Sequence, residues 1–132
     1  MHIKDYTTDK IQVTFMSLKH TDLIVVYKSP TGKDSDLRNI LERAINPQRS
    51  TLVCGDFNMC FTERKISNTI LFLIESGFMQ LVQDPTHIAG GHIDHVYVRG
   101  IQANIQLYSP YYTAKDHDAL LISINDDNLK EE

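Results

Sequence analysis

Residues 51–58 read TLVCGDFN, and their reading decides the fold. Thr51, Leu52, Val53 and Cys54 form an apolar, β-branched run too short for a helix, which predicts a buried strand. It runs into Gly55, which tolerates an unusual backbone turn, and then into Asp56 and Asn58, whose alternation predicts that both project to one side. Polar groups thus sit where the strand ends. A carboxylate there can take a proton or hold a metal-bound water, and an amide can donate to a phosphate oxygen. Two later segments share the pattern. Residues 91–98, GHIDHVYV, embed Asp94 in an otherwise apolar strand, and residues 114–122, AKDHDALLI, set Asp116 and His117 at the entrance of a buried one. Each has a plain alternative: an Asx turn for Asp56 and Asn58, a solvent-facing strand residue for Asp94, and a cap with a core histidine for Asp116 and His117. Their joint occurrence is harder to assign to packing alone.

Working outward, residues 11–18 nearly alternate and predict a half-buried strand. Residues 22–28, DLIVVYK, predict a strand buried on both faces. Lys19, His20 and Thr21 between them suit a hairpin, and residues 29–32, SPTG, stop the second strand. Leu37, Ile40, Leu41 and Ala44 recur at helical spacing and predict a helix over 34–45, started by Asp34 or Ser35 and ended at Asn46 and Pro47. A second helix is expected at about 66–76, presenting Ile70, Leu71, Leu73 and Ile74 and ending at Gly77. Residues 79–82, 92–98, 103–109 and 119–124 read as further strands, the last two joined through 110–115. The tail from about residue 125 is acidic and expected to fray. Helices between pairs of strands give an α/β layered fold.

A chain of 132 residues suffices for one domain, 1–132. No stretch nears the roughly 20 apolar residues that span a bilayer, and the N-terminus lacks the apolar core of a signal peptide. An intracellular setting, nuclear or cytoplasmic, with no membrane partner is the expectation. Net charge is −4 with no basic run, which argues against a tight, sequence-independent duplex binder. A carboxylate-built site would itself pull the balance negative. Cys54 and Cys60 flank the central motif; they read as reduced packing cysteines, with a disulfide or a zinc site as alternatives. His20, His87, His92, His95 and His117 show no finger spacing.

In their order along the chain, LVCGDFN, HIDHV and KDHDALLI resemble the last three motifs of the endonuclease/exonuclease/phosphatase superfamily. The segment around Tyr27 and Pro30 resembles the strand-ending tyrosine–proline segment that precedes them. Residues 84–96 are similar to endonuclease-like segments attached to Helitron-type transposon helicases, and the resemblance covers about residues 11–124. It implies that Asp56 orients or deprotonates the attacking water and that Asn58 bonds the scissile phosphate. It further implies that Asp94 holds His117 in one tautomer, that His117 stabilises charge on the phosphate oxygens, and that Tyr27 contacts phosphate. Asp116 and Asp56 would be metal-site carboxylates for magnesium or manganese, weakly bound. The substrate implied is DNA, such as that cut by a mobile-element endonuclease, or another phosphoester. His87, His92 and His95 match no catalytic position; His95 is expected on the strand face opposite Asp94, structural or on the surface.

The sequence also departs from the pattern. The family's domain is about twice as long, and its early active-site Asn and metal-binding Glu have no counterpart here. Before Tyr27 the acids are Asp5, Asp9 and Asp22, and none ends an apolar strand. Thr31 follows Pro30 where many of the nucleases have Asn. The expected architecture is α/β, a mostly antiparallel sheet with helices on one face, half of the superfamily's four-layer sandwich. Such a half leaves an apolar face, so a homodimer, or a partner supplying the missing N-terminal half, is expected. A non-catalytic interaction module that keeps the half-fold is the alternative to an endonuclease that is weak or inactive alone.

Overall fold

The computed structural model describes residues 2–59, 67–81, 94–108 and 119–124. Its main sheet has six strands: β1 (His2–Thr7), β2 (Ile11–Ser17), β3 (Thr21–Lys28), β4 (Ser50–Asp56), β5 (Met79–Gln80) and β6 (Asp94–Arg99). Their order is β1-β2-β3-β4-β6-β5, and only the β3–β4 pair is parallel. A parallel neighbour requires a crossover, supplied by α1 (Asp34–Ala44). A second helix, α2 (Asn68–Glu75), precedes β5. The strands β7 (Ala103–Tyr108) and β8 (Ala119–Ile124) form a separate antiparallel pair.

Both helices cover one face of the main sheet. Leu37, Ile40, Leu41 and Ala44 of α1 and Leu73 of α2 join Ile11, Val13, Ile24, Val26, Val53, Phe57 and Tyr97 in the larger core. On the opposite face Leu52, Val96 and Val98 form a smaller cluster against which Ile101, Ala103, Ile122 and Ile124 pack. The chain therefore contributes a two-stranded second sheet beyond the single sheet that its sequence predicts. This hairpin covers the β4–β6 half of the outer face. Over β1–β3 that face carries the exposed apolar side chains of Ile3 and Val25, besides Tyr27. The expectation that residues 22–28 are buried on both sides fails for this reason.

Other differences are local. Among the described residues strand β1 is the sheet's edge and pairs only with β2; HIKDYT, with two apolar residues in six, shows no strand periodicity. Helix α1 is capped by Lys33 without a side-chain bond. Asp34 instead caps the other helix: its carboxylate accepts from Ser67 Oγ (2.9 Å), Asn68 N (2.6 Å) and Thr69 N (3.2 Å). In α2 Leu73 and Thr69 face inward while Leu71 and Ile74 are exposed, so the helix is rotated from the face that the sequence predicts. It ends at Gly77, whose φ is 91°, as expected.

Candidate active site

Strand register builds the site. Tyr27 in β3 is the cross-strand partner of Asp56 in β4, and Asp56 is the partner of Asp94 in β6. Partners in register share a face, and here it is the face away from the helices, because Ile24, Val26, Val53 and Tyr97 occupy the other. The three residues thus form one row across adjacent strands about 4.8 Å apart. Gln12 of β2, the partner of Tyr27, extends the row by one strand. Gln12 escapes a reading by motif; counting the β2–β3 hairpin register back from Tyr27 would have found it.

The parallel pairing explains why the row lies at the end of the sheet. Strands β3 and β4 run side by side, so the chain leaves both at the same end, just past Tyr27 and Asp56. Gly55 permits the close approach: its φ is 140°, and a Cβ there would lie 1.9 Å from the Val26 carbonyl oxygen. Asp56 and Asp94 stand opposite one another, and like charges so placed repel unless a cation or a donor comes between them.

Past Asp56 the chain turns sharply. Asn58 N donates to Asp56 Oδ1 (2.9 Å), so the Asx turn left open by the sequence is formed. Asn58 itself has φ 46°, in the left-handed region. Its side-chain Nδ2 donates to the Lys28 carbonyl at 2.5 Å. Asn58 is therefore tied back to the end of β3 rather than continuing the alternation of β4; an amide nitrogen has a second proton to offer. The buried Lys28 side chain fixes the same corner, donating from Nζ to the carbonyls of Ser29 (3.2 Å) and Gly32 (3.1 Å). Burial lowers its pKa, against the opposing pull of Asp34 and Asp56.

On the other face of β6, His95 is fully buried, stacked on Phe57 with ring centroids 4.6 Å apart. It does lie opposite Asp94, in the core and not on the surface. Cys54, in the row beneath Asp56, is a free thiol whose pKa is pushed up to about 11 by burial. Asp22, fully buried at the start of β3, faces the helices and is bound by Arg49 (Nε to Oδ1, 2.7 Å). The structure thus brings together Tyr27, Asp56, Asn58 and Asp94. Asp116, His117, His87, His92 and Cys60 lie outside the described residues. Among the described residues no group of three or more His, Cys, Asp or Glu could hold a metal ion. No helix there is long and apolar enough to cross a membrane.

The fold has solved counterparts. The endonuclease domain of TRAS1, a telomere-specific non-LTR retrotransposon, superposes with a TM-score of 0.67 at 18% identity, over 93% of this chain and 66% of that one. The Haemophilus ducreyi cytolethal distending toxin gives 0.62 at 16% identity, over 94% and 56%. The human Nocturnin catalytic domain gives 0.55 at 14%, over 93% and 60%. The chain thus spans less than two thirds of each of these chains. No match was found among curated proteins. The sequence model of the Endonuclease/Exonuclease/phosphatase family matches residues 9–114, well over half of the sequence. On that match, with the sheet and layer order described above, the chain belongs to the endonuclease/exonuclease/phosphatase family.

Proposed function

We propose that the chain carries the later half of a divalent-metal-dependent phosphodiesterase domain, of the DNA endonuclease kind that mobile elements encode. The alignment of Tyr27, Asp56 and Asp94 across three neighbouring strands carries this reading. It gathers at one sheet end the residues whose motifs resemble the family's. Asp56 orients or deprotonates the attacking water. Asn58, anchored through one amide proton, offers the other to the scissile phosphate, and Tyr27 binds a second phosphate oxygen. Asp94 holds His117 in one tautomer, and His117 donates to the oxygens on which charge develops.

Carboxylate donors of the kind that Asp56 offers suit magnesium or manganese. Carboxylate oxygens are hard ligands, and magnesium is commonly held by one or two of them with water and substrate phosphate completing the shell. Asp56 and Asp116 would hold it, weakly. When bound, the ion supplies Lewis-acid stabilisation of the phosphoryl transition state.

The exposed outer face of β1–β3 is, in this reading, where the rest of the sandwich packs, from an N-terminal half, a partner or a second copy. An interface of that kind buries on the order of 1,200 Å² or more. Light scattering at micromolar concentration should then report a dimer or larger; a monodisperse monomer that binds no apolar dye refutes this. The same face supports the second reading, an interaction module without metal chemistry. A plasmid-nicking assay decides between them. The 132 residues alone should cut at least ~10³-fold more slowly than a complete domain, each 1.36 kcal/mol of lost stabilisation being about tenfold. Reconstitution with an N-terminal half should restore magnesium-dependent nicking that His117→Ala abolishes. No nicking in the reconstituted domain would favour the module.

A further inference from the structure

His95 has no part in the chemistry just described, yet it grips both sides of Asn58. Its ring lies nearly parallel to Phe57, with an interplanar angle of 12°, and its Nε2 lies 2.7 Å from the Met59 carbonyl oxygen. A carbonyl only accepts, so Nε2 carries a proton. Nδ1 lies 3.0 Å from the Tyr97 hydroxyl. On a ring that carries its one proton at Nε2, Nδ1 accepts, so the phenol donates to it; burial, which raises the Tyr97 pKa, keeps that phenol protonated into alkaline pH. The side chains of His95, Tyr97 and Phe57 are all fully buried, and the three rings meet in the core directly behind the turn.

What this assembly holds is a residue in the left-handed region, at φ 46°. Asparagine tolerates that conformation better than other residues that carry a side chain, and here it is held there from two sides. The bonds from Asn58 to Asp56 and Lys28 hold it from within the turn. The His95 ring stacked on Phe57 and its Nε2 bond to Met59 hold the residues before and after it from the core. We propose that His95 is a positioning residue. As the Nε2–H tautomer it clamps Phe57 and Met59, fixing Asn58 in the left-handed conformation that sets the Asp56–Asn58 pair. The consequence for catalysis rests on the phosphodiesterase reading above; the clamp itself does not.

The test separates the two. Long-range 15N–1H spectra of the 132-residue chain should show the His95 proton on Nε2; a proton on Nδ1 alone overturns the proposal. His95→Phe keeps a buried ring on Phe57 and loses both hydrogen bonds. Its Asn58 backbone amide should exchange with solvent about tenfold faster, the equivalent of one net hydrogen bond. The amides of Ile24 and Val53 in the central strands should be unchanged. His95→Gln, which can still donate to Met59, should recover most of the protection. Equal Asn58 exchange in wild type and His95→Phe overturns the clamp. If His95→Phe does not fold, the wild-type tautomer and the His95→Gln exchange decide. In the reconstituted domain His95→Phe should lower kcat about 10- to 100-fold at unchanged KM, the cost of misplacing a reacting group by about 1 Å. A domain that never nicks, with the exchange result as expected, sinks the phosphodiesterase reading and leaves the clamp standing.

Discussion

Replacing Gly55 by alanine tests how the site is built. Gly55 in β4 is the register partner of Val26 in β3, at a φ of 140° that L side chains rarely adopt. An added Cβ would sit 1.9 Å from the Val26 carbonyl oxygen and 2.8 Å from Val26 N and C. Neither neighbour is a flexible side chain, so relief requires the two strands to part by about 1 Å. The backbone strain is worth about 1–3 kcal/mol, and two disturbed ladder bonds add about 1 kcal/mol each. The expected destabilisation is therefore about 3–5 kcal/mol, at the upper end of single-substitution effects. For a chain of this size it corresponds to a Tm drop of roughly 10–20 °C. With no tryptophan in the sequence, urea unfolding is best followed by circular dichroism. A loss below about 1 kcal/mol with an unchanged m-value would refute the reasoning. It would mean that the β3–β4 contact, and with it the Tyr27–Asp56 alignment, tolerates a side chain between the strands.

Three further outcomes follow from contacts away from the row. Asp34→Ala removes the acceptor for Ser67, Asn68 and Thr69 and should cost about 1–2 kcal/mol, the value of a helix cap, measured by urea unfolding. Arg49→Ala leaves Asp22, only 1% exposed, without its guanidinium and should cost about 3 kcal/mol. The double variant Asp22→Leu/Arg49→Met should recover most of that loss. In a Cys60→Ser background, Cys54 should resist thiol reagents at pH 8 in the folded chain and react at once in urea. Because its folded pKa is raised, its stabilising contribution is whole below the ordinary thiol range and is lost as pH climbs towards about 11. Cys54→Ala should remove that part of the alkaline destabilisation.

Where a residue's own neighbours decide its structure, the sequence is readable. The α1 face of Leu37, Ile40, Leu41 and Ala44 emerges as the spacing predicts, because every fourth or third position meets one continuous sheet. Helix α2 misleads for the opposite reason. Ile70, Leu71, Leu73 and Ile74 are apolar almost all round, so periodicity alone cannot choose the buried side. The choice falls to Asp34, a residue of the other helix, whose carboxylate fixes the α2 N-terminus. Strand β1 goes unseen because an edge strand with Lys4 and Asp5 carries the charges that keep edges from pairing with other chains. The burial of β3 is overestimated because what covers Val25 and Tyr27 is set by the reach of the β7–β8 hairpin, which no local pattern encodes.

The site divides along the same line. Asp56, Asn58 and Asp94 are legible as polar residues at the ends of apolar strands, but motif order alone cannot say which of them meet. Register does, and it also removes a rival. Asp22 is the early acid that sits in an apolar strand, and so a candidate for a further carboxylate of the proposed site. Strand periodicity places it five residues from Tyr27, roughly 16 Å along β3, and on the helix-covered face. There Arg49 and Ser17 already bind its Oδ1. A one-residue slip of β3 would turn it to the site's face, but would also turn Ile24, Val26 and Lys28 out of the core and leave it several residues short of the row. Any further carboxylate for the site must come from outside β3.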